Sequence, residues 1–471
     1  MKYDAIIVGS GPNGLSAAIT LQRAGLQVLL LEARDTIGGG TRTAELTLPG
    51  FFHDVCSAVH PMGAASPFFR TLPLHEFGLE YLNPEVLAAH PFDDGSAAAL
   101  YQSIADTAAG LGEDGPAYRR LFDPLVEDWP RIEAHILGPM LKWPKDPFAL
   151  AEFGLKSLQS GKQIAARFKT RHLRGLWSGI VAHSMIPLES LTSSAIGFVL
   201  TIAGHRGGWP IPKGGSQRIA NALAAYFQSL GGVIQTDTMV TALADLPEAK
   251  AILFDTSPKQ LIQICGDRLS SFYRWQLRNH RYGMGVFKVD WALSEPVPFV
   301  AEQARKAGTV HLGGTLAEIA AGERLVWEGK CADRPFVLFA QQSVFDDTRA
   351  PAGKHTGWAY CHVPNGSTQD MTEAITAQVE RFAPGFRDTL LATHTFNTAA
   401  MEAYNPNYIG GDINGGVVNI AQLFNRPALR FSPYRTSAKG IYLCSASTPP
   451  GGGVHGMGGF FAAKQVLKDL F

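Results

Sequence analysis

The sequence predicts an α/β chain in which a parallel-sheet domain, assembled from separated stretches, is interleaved with a second domain of α+β character. Three observations carry this. The first residues read strand, glycine-rich turn, helix, strand; a second glycine-rich strand-to-helix turn, "LCSASTPPGGGVHGMGGFFAAKQV", stands at the far end; and the middle holds alternating, strand-like runs. At 471 residues the chain has room for two or three packed domains. Its 46% hydrophobic and 17% charged content describes a globular protein with a large interior. Lys plus Arg and Asp plus Glu balance at 41 each, so there is no charge excess to draw the chain onto a phosphate backbone, and nucleic acid is not an expected partner.

In "DAIIVGSGPNGLSAAITLQRAGLQVLLLEA" the apolar run Ala5 to Val8 reads as a short buried strand. Leu15, Ala18 and Ile19 recur at helical spacing, Gly25 stops the helix, and "QVLLLEA" is the next strand. Gly9, Gly11 and Gly14 satisfy G-x-G-x-x-G in the strand-turn-helix setting it requires, with Ser10, Pro12 and Asn13 filling the turn. Gly9 makes the tight turn, Gly11 lets the backbone approach a pyrophosphate, and Gly14 lets helix and sheet pack closely, so the domain is Rossmann-type. The helix start offers free N–H groups and a positive dipole end to phosphates. Glu32, followed by Ala33 and Arg34, would accept hydrogen bonds from a ribose diol and repel a 2′-phosphate. Gly110 to Gly115 also spells G-x-G-x-x-G, but no strand enters it, and it reads as a helix end and loop. One dinucleotide is therefore expected, with no separate nicotinamide domain.

The five cysteines (Cys56, Cys265, Cys331, Cys361, Cys444) are widely spaced, without a C-x-x-C or a Cys/His cluster, and read as buried small hydrophobes in a reducing compartment; no metal site is expected. No signal-peptide pattern opens the chain and no run of about 18 apolar residues could span a bilayer. A cytoplasmic location is expected.

Downstream of Glu32, "ARDTIGGGTRTAELTLPGFFHDVCSAVHPM" brings a second glycine pair, Gly38-Gly39, which resembles the second motif of the FAD-dependent oxidoreductases of the amine oxidase and phytoene desaturase superfamily. "GGWPIPKGGSQRIANALAAYFQSLGGVIQTDTMVTAL" resembles that family's P-x-G-G loop (Pro212, Gly214, Gly215), a helix, and a strand whose Val240 touches the adenine end through its backbone. "GIYLCSASTPPGGGVHGMGGFFAAKQVL" resembles its C-terminal flavin motif, and "YGMGVFKVDWAL" and "TVHLGGTLAEIA" place the chain among the bacterial phytoene dehydrogenase-related proteins over nearly its whole length. The resemblance implies a glutathione reductase-like FAD-binding domain. FAD contacts fall on the first cradle, on Glu32, Ala33 and Arg34, and on Gly38, Gly39, Gly40, Thr41 and Arg42. They also fall on Pro212, Gly214, Gly215 and Val240, and at the C-terminus on Ser445, Gly452, Gly453, Val454 and His455. Gly451 to Gly453 would bring backbone against the flavin ring, and a helix starting near Val454 and His455 would aim N–H groups at its N1/C2=O edge, which becomes negative on reduction.

This sequence departs from the family in three places. Gly40 stands where many relatives have Arg, which leaves Arg42 as the phosphate counter-charge; Ser445 and Ser447 stand where several groups have Gly-Asp; and "YIGGDINGGVV" holds no cysteine to link the flavin, so non-covalent FAD is implied.

The expected organisation is a cofactor domain from residues 1–75, 205–285 and 415–471, and a substrate domain from 76–204, helical in part, and 286–414. "GVFKVDWAL", "RPFVLFAQ" and "GWAYCHV" read as strands of the latter. In the first of them, alternation puts Phe287, Val289 and Trp291 on a core face and Lys288 and Asp290 on a solvated one. Residues 141–174 carry Lys142, Lys145, Lys156, Lys162, Arg167, Lys169, Arg171 and Arg174 against Asp146 and Glu152, with Trp143, Phe148, Phe153 and Phe168 interleaved. Such a stretch suits either a solvated helical face or peripheral contact with an anionic membrane.

The resemblance implies hydride transfer from a substrate C–H to flavin N5, on an apolar, isoprenoid- or polyene-like small molecule, with oxygen or a quinone as electron acceptor. Two alternatives stand beside this desaturase reading: a flavin amine oxidase, and a non-catalytic prenyl-lipid carrier like the Rab GDP dissociation inhibitors, which share the fold. His455, His60, His205 with Trp209, and Tyr404 with Asn405 are the candidates for catalytic or pocket-lining roles, each with a structural reading open as well.

Overall fold

The computed structural model describes residues 3–139 and 143–471; Met1 and Lys2, and Leu141 and Lys142 of the basic stretch, lie outside the described residues. Among the described residues, two large sheets organise the chain. The first is parallel, in the order β5 (Val233–Gln235), β2 (Val28–Leu31), β1 (Ala5–Val8), β6 (Ala251–Phe254), β12 (Ile441–Leu443). β1 and β2 are buried at every position because alternate residues enter different cores. Ala5, Ile7, Val28 and Leu30 pack with the first helix, whereas Ile6, Val8, Leu29 and Leu31 pack with Leu261, Tyr273 and Leu277 on the other face.

Helix α1 (Pro12–Arg23) begins on Gly11 with Pro12 in its first turn, where a missing N–H costs nothing, and is followed by Gly25 at φ +86°. The last helix, α8 (Met457–Leu470), packs directly on α1. A Cβ on Gly459 would lie 1.8 Å from the Asn13 carbonyl oxygen, and one on Gly456 2.0 Å from Ser16 Oγ. Gly459 thus lets the two helix starts touch backbone to backbone, and Gly456 leaves room for the Ser16 side chain. Helix α6 (Gln217–Ser229) also packs on α1.

The second sheet runs β11 (Leu390–Phe396), β7 (Gly285–Leu293), β10 (His355–Val363), β9 (Val337–Ala340), β8 (Ala307–Leu312), β3 (Val86–Pro91), β4 (Ala97–Leu100). Only the β8–β3 pairing is parallel among these neighbours. Phe287, Val289 and Trp291 enter its core, as the alternation predicts. Lys288 and Asp290 are not solvated, however: they are 1% and 0% exposed. Strand β7 is internal to the sheet, and its polar face is roofed by the segment carrying His53 and Asp54, with Trp358 Nε1 donating to the Asp54 carbonyl at 2.8 Å. Alternation assigns residues to faces but cannot tell that both faces are covered.

A helical layer lies over this sheet: α2 (Gly115–Ile136), α3 (Pro147–Ser157), α4 (Arg171–Ala182) and α5 (Ser193–Gly207), with α7 (Leu316–Trp327) against α4. The Gly110–Gly115 segment is a helix end and a short turn leading into α2. The basic stretch does not form one face. Phe153 and Phe168 are buried in the core, while Trp143 and Phe148 are 88% and 87% exposed. Lys156 pairs locally with Glu152, while other cations find acids distant in sequence: Lys162 pairs with Glu189, Lys169 with Glu113, and Arg171 with Asp94. Four of the cysteines are buried and all five are free. Among the described residues, no helix is long and apolar enough to cross a membrane.

Candidate active site

The glycine turn after β1 opens a cavity of about 700 Å³ that runs on toward the second sheet. Gly9, at φ +102°, donates its N–H to the Leu31 carbonyl at 2.8 Å, and a Cβ on Gly14 would lie 2.0 Å from the Gly9 oxygen, which fixes the close helix-on-turn contact. A Cβ on Gly39 would lie 3.2 Å from Gly11 Cα, so the second glycine pair closes on the first. Gly9 to Asn13, Glu32, Ala33, Arg34, Gly39, Gly40 and Arg42 all line the cavity, whereas Gly14, Gly38 and Thr41 back the turns from behind.

Glu32 is 7% exposed and its carboxylate is fully engaged. Oε2 accepts from the Ser10 N–H and the Ser10 hydroxyl, and Oε1 accepts from Arg34 N–H and Arg42 Nη2, each at 3.0 Å. Arg42 is thus turned toward Glu32 instead of standing free. The Ser10 oxygen in turn accepts from the Gly38 N–H at 3.2 Å, which ties the second glycine pair to the first turn. Gly40 has no room for the arginine of other sequences, since a Cβ there would lie 2.5 Å from the Tyr408 hydroxyl. Val240 does line the cavity, but not from a strand: β5 ends at Gln235, and the following segment crosses Glu32 through Thr238 N–H to Glu32 carbonyl, 2.8 Å.

Asp255, absent from the sequence reading, follows β6 and lies beneath the cradle. Its Oδ2 accepts from the Gly14 N–H at 2.9 Å. Burial first, then the Glu32 charge, pushes its carboxyl up to about 7, although the Gly14 hydrogen bond acts in the opposite sense. Its sequence signal is an acid directly after an apolar run, the same pattern as Glu32 after "VLLL".

At the far end, Ser445, Gly452, Gly453, Val454 and His455 line the cavity. The terminal helix starts at Met457, later than the expected Val454. His455 caps it: the Met457 N–H donates to Nδ1 at 3.1 Å and Nε2 donates to the Gly452 carbonyl at 3.2 Å, which fixes a neutral tautomer. His60 lines the cavity, with Nε2 2.7 Å from Ser216 Oγ, while Nδ1 is buried without a partner among the described residues. Burial lowers it to about 4, so it is neutral. Behind it, Ser216 N–H donates to Asp54 at 2.8 Å, and Asp54 pairs with the buried Arg349 at 2.7 Å. Burial alone would raise the Asp54 carboxyl; the Arg349 guanidinium outweighs it and holds the group low.

Other candidates lie elsewhere. His205 is off the cavity: Tyr118 hydroxyl donates to Nε2 at 2.6 Å and Nδ1 donates to the Gln102 carbonyl at 2.9 Å, which makes it a satisfied core histidine. Pro212, Gly214 and Gly215 do not line the cavity either; Gly214 N–H donates to Asp346 at 2.7 Å, and a Cβ on Gly215 would strike Thr43 at 2.4 Å. Tyr404 and Asn405 do line it, with the Arg42 guanidinium 5.6 Å from the Tyr404 ring centre.

Beyond the two glycine turns the walls are apolar, built from Ile136, Leu150, Phe153, Ile196, Val199 and Leu338 among others. Among the described residues, the carboxylates and guanidinium groups that line the cavity, Glu32, Asp255, Arg34 and Arg42, all stand at the first cradle.

The sequence profile of the flavin containing amine oxidoreductases matches residues 13–261. The chain is 26% identical over 555 aligned positions to mouse pyridine nucleotide-disulfide oxidoreductase domain-containing protein 2, with 100% of this chain and 94% of the relative covered. It is 23% identical to a lycopene-forming phytoene desaturase of Paracoccus sp., with 99% and 97% covered. Among solved structures, putrescine oxidase bound to putrescine superposes with a TM-score of 0.62 at 17% identity, over 100% of this chain and 99% of that one.

Proposed function

The chain belongs to the flavin-containing amine oxidoreductase family and FAD is its cofactor, which makes it a flavin oxidoreductase; from this we propose that it dehydrogenates an apolar, isoprenoid- or polyene-like substrate, in a desaturase-type reaction. The observation that carries the reading is the division of the cavity. Among the described residues its carboxylates and guanidinium groups gather at the nucleotide cradle, and the remainder is walled mainly by aliphatic and aromatic groups, with uncharged polar side chains such as His183 and Thr309 between them, which favours an apolar guest. An ammonium substrate would meet no carboxylate there among the described residues.

The residues present fit FAD. The glycines hold no Cβ where two backbone turns converge, and Glu32 accepts a hydroxyl, that of Ser10, as it would accept one from a ribose. In this reading Gly9 to Gly14 and the start of α1 hold the diphosphate, Glu32 the ribose, Thr238 to Val240 the adenine side, and Gly452 to His455 the ring. FAD, when bound, supplies the acceptor for the substrate's hydride. The chain orients the C–H, keeps water from the apolar walls and fixes the terminal turn through the His455 cap. Residues 1–75, 205–285 and 415–471 then form the cofactor domain, and 76–204 and 286–414 the substrate domain. Oxygen or a quinone takes up the electrons afterward.

Contact with a membrane surface would suit such a substrate, and exposed Trp143 and Phe148 support it. The test of the main reading is anaerobic photometry of the flavoprotein with isoprenoid and amine fractions: bleaching by the former supports it, and bleaching by amines alone overturns it.

A further inference from the structure

His183 and Thr309 are among the uncharged polar groups that interrupt the apolar wall of the cavity. His183 caps the C-terminus of α4 and lines the cavity; Met185, two residues on, takes a contact from Asn414 Nδ2 at 3.0 Å, and Asn414 abuts Gly452. Thr309, on β8, also lines the cavity, is 1% exposed, and its hydroxyl has no hydrogen-bond partner among the described residues.

His183 does not stand alone. Its Nε2 lies 3.0 Å from Nε2 of His311, which shares a face of β8 with Thr309, and the Trp209 ring packs about 6 Å from both imidazoles, at 5.9 and 6.0 Å. Helix α4 makes room for this: a Cβ on Gly179 would lie 2.8 Å from Nδ1 of the His311 ring, and one on Gly175 2.7 Å from the ring of His90 on the adjoining strand. Glycines inside a helix weaken it, so a helix that carries two of them in register is shaped to seat the imidazoles. Burial lowers His183 to about 3 and holds His311 well below its ordinary value, so both rings are neutral. Two neutral imidazoles joined Nε2 to Nε2 must be one donor and one acceptor, and exchanging those roles presents either a lone pair or an N–H from His183 Nδ1.

We propose that His183, backed by His311 and flanked by Thr309, is a subsite that hydrogen-bonds a neutral oxygen, a carbonyl or hydroxyl, on an otherwise apolar substrate. This deepens the substrate reading given above and rests on it. A neutral dyad that offers either polarity suits an uncharged oxygen and gives no counter-charge to an ammonium or a carboxylate.

The test uses the FAD-loaded protein and two probes of one carbon skeleton, 6-methylhept-5-en-2-one and 2-methylhept-2-ene, titrated by the perturbation of the flavin absorption. His183→Phe is expected to weaken the ketone about tenfold while leaving the hydrocarbon within about twofold. In the unaltered protein the carbonyl stretch of the bound, ¹³C-labelled ketone is expected below its value in hexane, a readout that does not depend on the variant folding. Ketone affinity unchanged in the variant, or a stretch at the hexane value, overturns the subsite alone. If neither probe binds the unaltered protein, the apolar-substrate reading falls and takes the subsite with it.

Discussion

The Gly14 N–H donates to the Asp255 carboxyl across 2.9 Å, so an acid occupies the helix-start donor that lies beneath the phosphate cradle. Burial and Glu32 push that acid from its ordinary range up to about 7. A raised acid binds its proton in the folded state and releases it in the unfolded one, so its contribution to stability falls as pH rises from about 4 to about 7 and is flat above. FAD affinity should weaken over the upper part of the same range, because an ionised Asp255 faces the diphosphate. Fluorescence titration of FAD against pH should show this slope, and Asp255→Asn should flatten it; the same slope in both proteins would contradict the assignment.

Gly459 has no room for a side chain, since a Cβ would lie 1.8 Å from the Asn13 oxygen. Gly459→Ala should cost roughly 1–3 kcal/mol and loosen FAD, because α1 and α8 must separate. Gly110→Ala, where a Cβ meets nothing within 4 Å, is the control and should be neutral or slightly stabilising. Thermal unfolding of both variants decides it.

Lys288 and Asp290 form a buried ion pair, with His53 3.6 Å and His394 3.8 Å from the carboxylate. Burial would raise Asp290; the Lys288 ammonium holds it low. Lys288→Met strands the carboxylate and should cost about 3–5 kcal/mol, whereas Lys288→Met with Asp290→Leu should cost less than the single change. Urea unfolding separates the two cases.

Exposed Trp143 and Phe148 should carry any lipid contact. Sedimentation with anionic vesicles should exceed that with neutral ones and should drop in Trp143→Ser/Phe148→Ser. Equal sedimentation with both lipids would count against membrane contact.

The cofactor end of the site is legible in the sequence because its chemistry is local. Gly9, Gly11 and Gly14 do their work within one turn, and Glu32 follows one strand later. The strands around Phe287, Leu338 and Tyr360 are legible from apolar alternation. What pairing across the chain decides is not legible. Nothing near His183 announces His311 as its partner, and nothing near Lys288 announces the His53 segment that roofs it. Val240 is misread as strand because β5 stops at Gln235 and the chain then follows Glu32 instead of the sheet. His205 is misplaced because its partners, Tyr118 and Gln102, come from an earlier, distant segment.

The most direct test of the central claim is the visible spectrum of the purified protein under nitrogen, before and after addition of an isoprenoid extract and, separately, of amines. The account predicts a bound-flavin spectrum that bleaches with the isoprenoid extract and not with amines. A protein that stays colourless after incubation with FAD, or a flavin that bleaches only with amines, would contradict it.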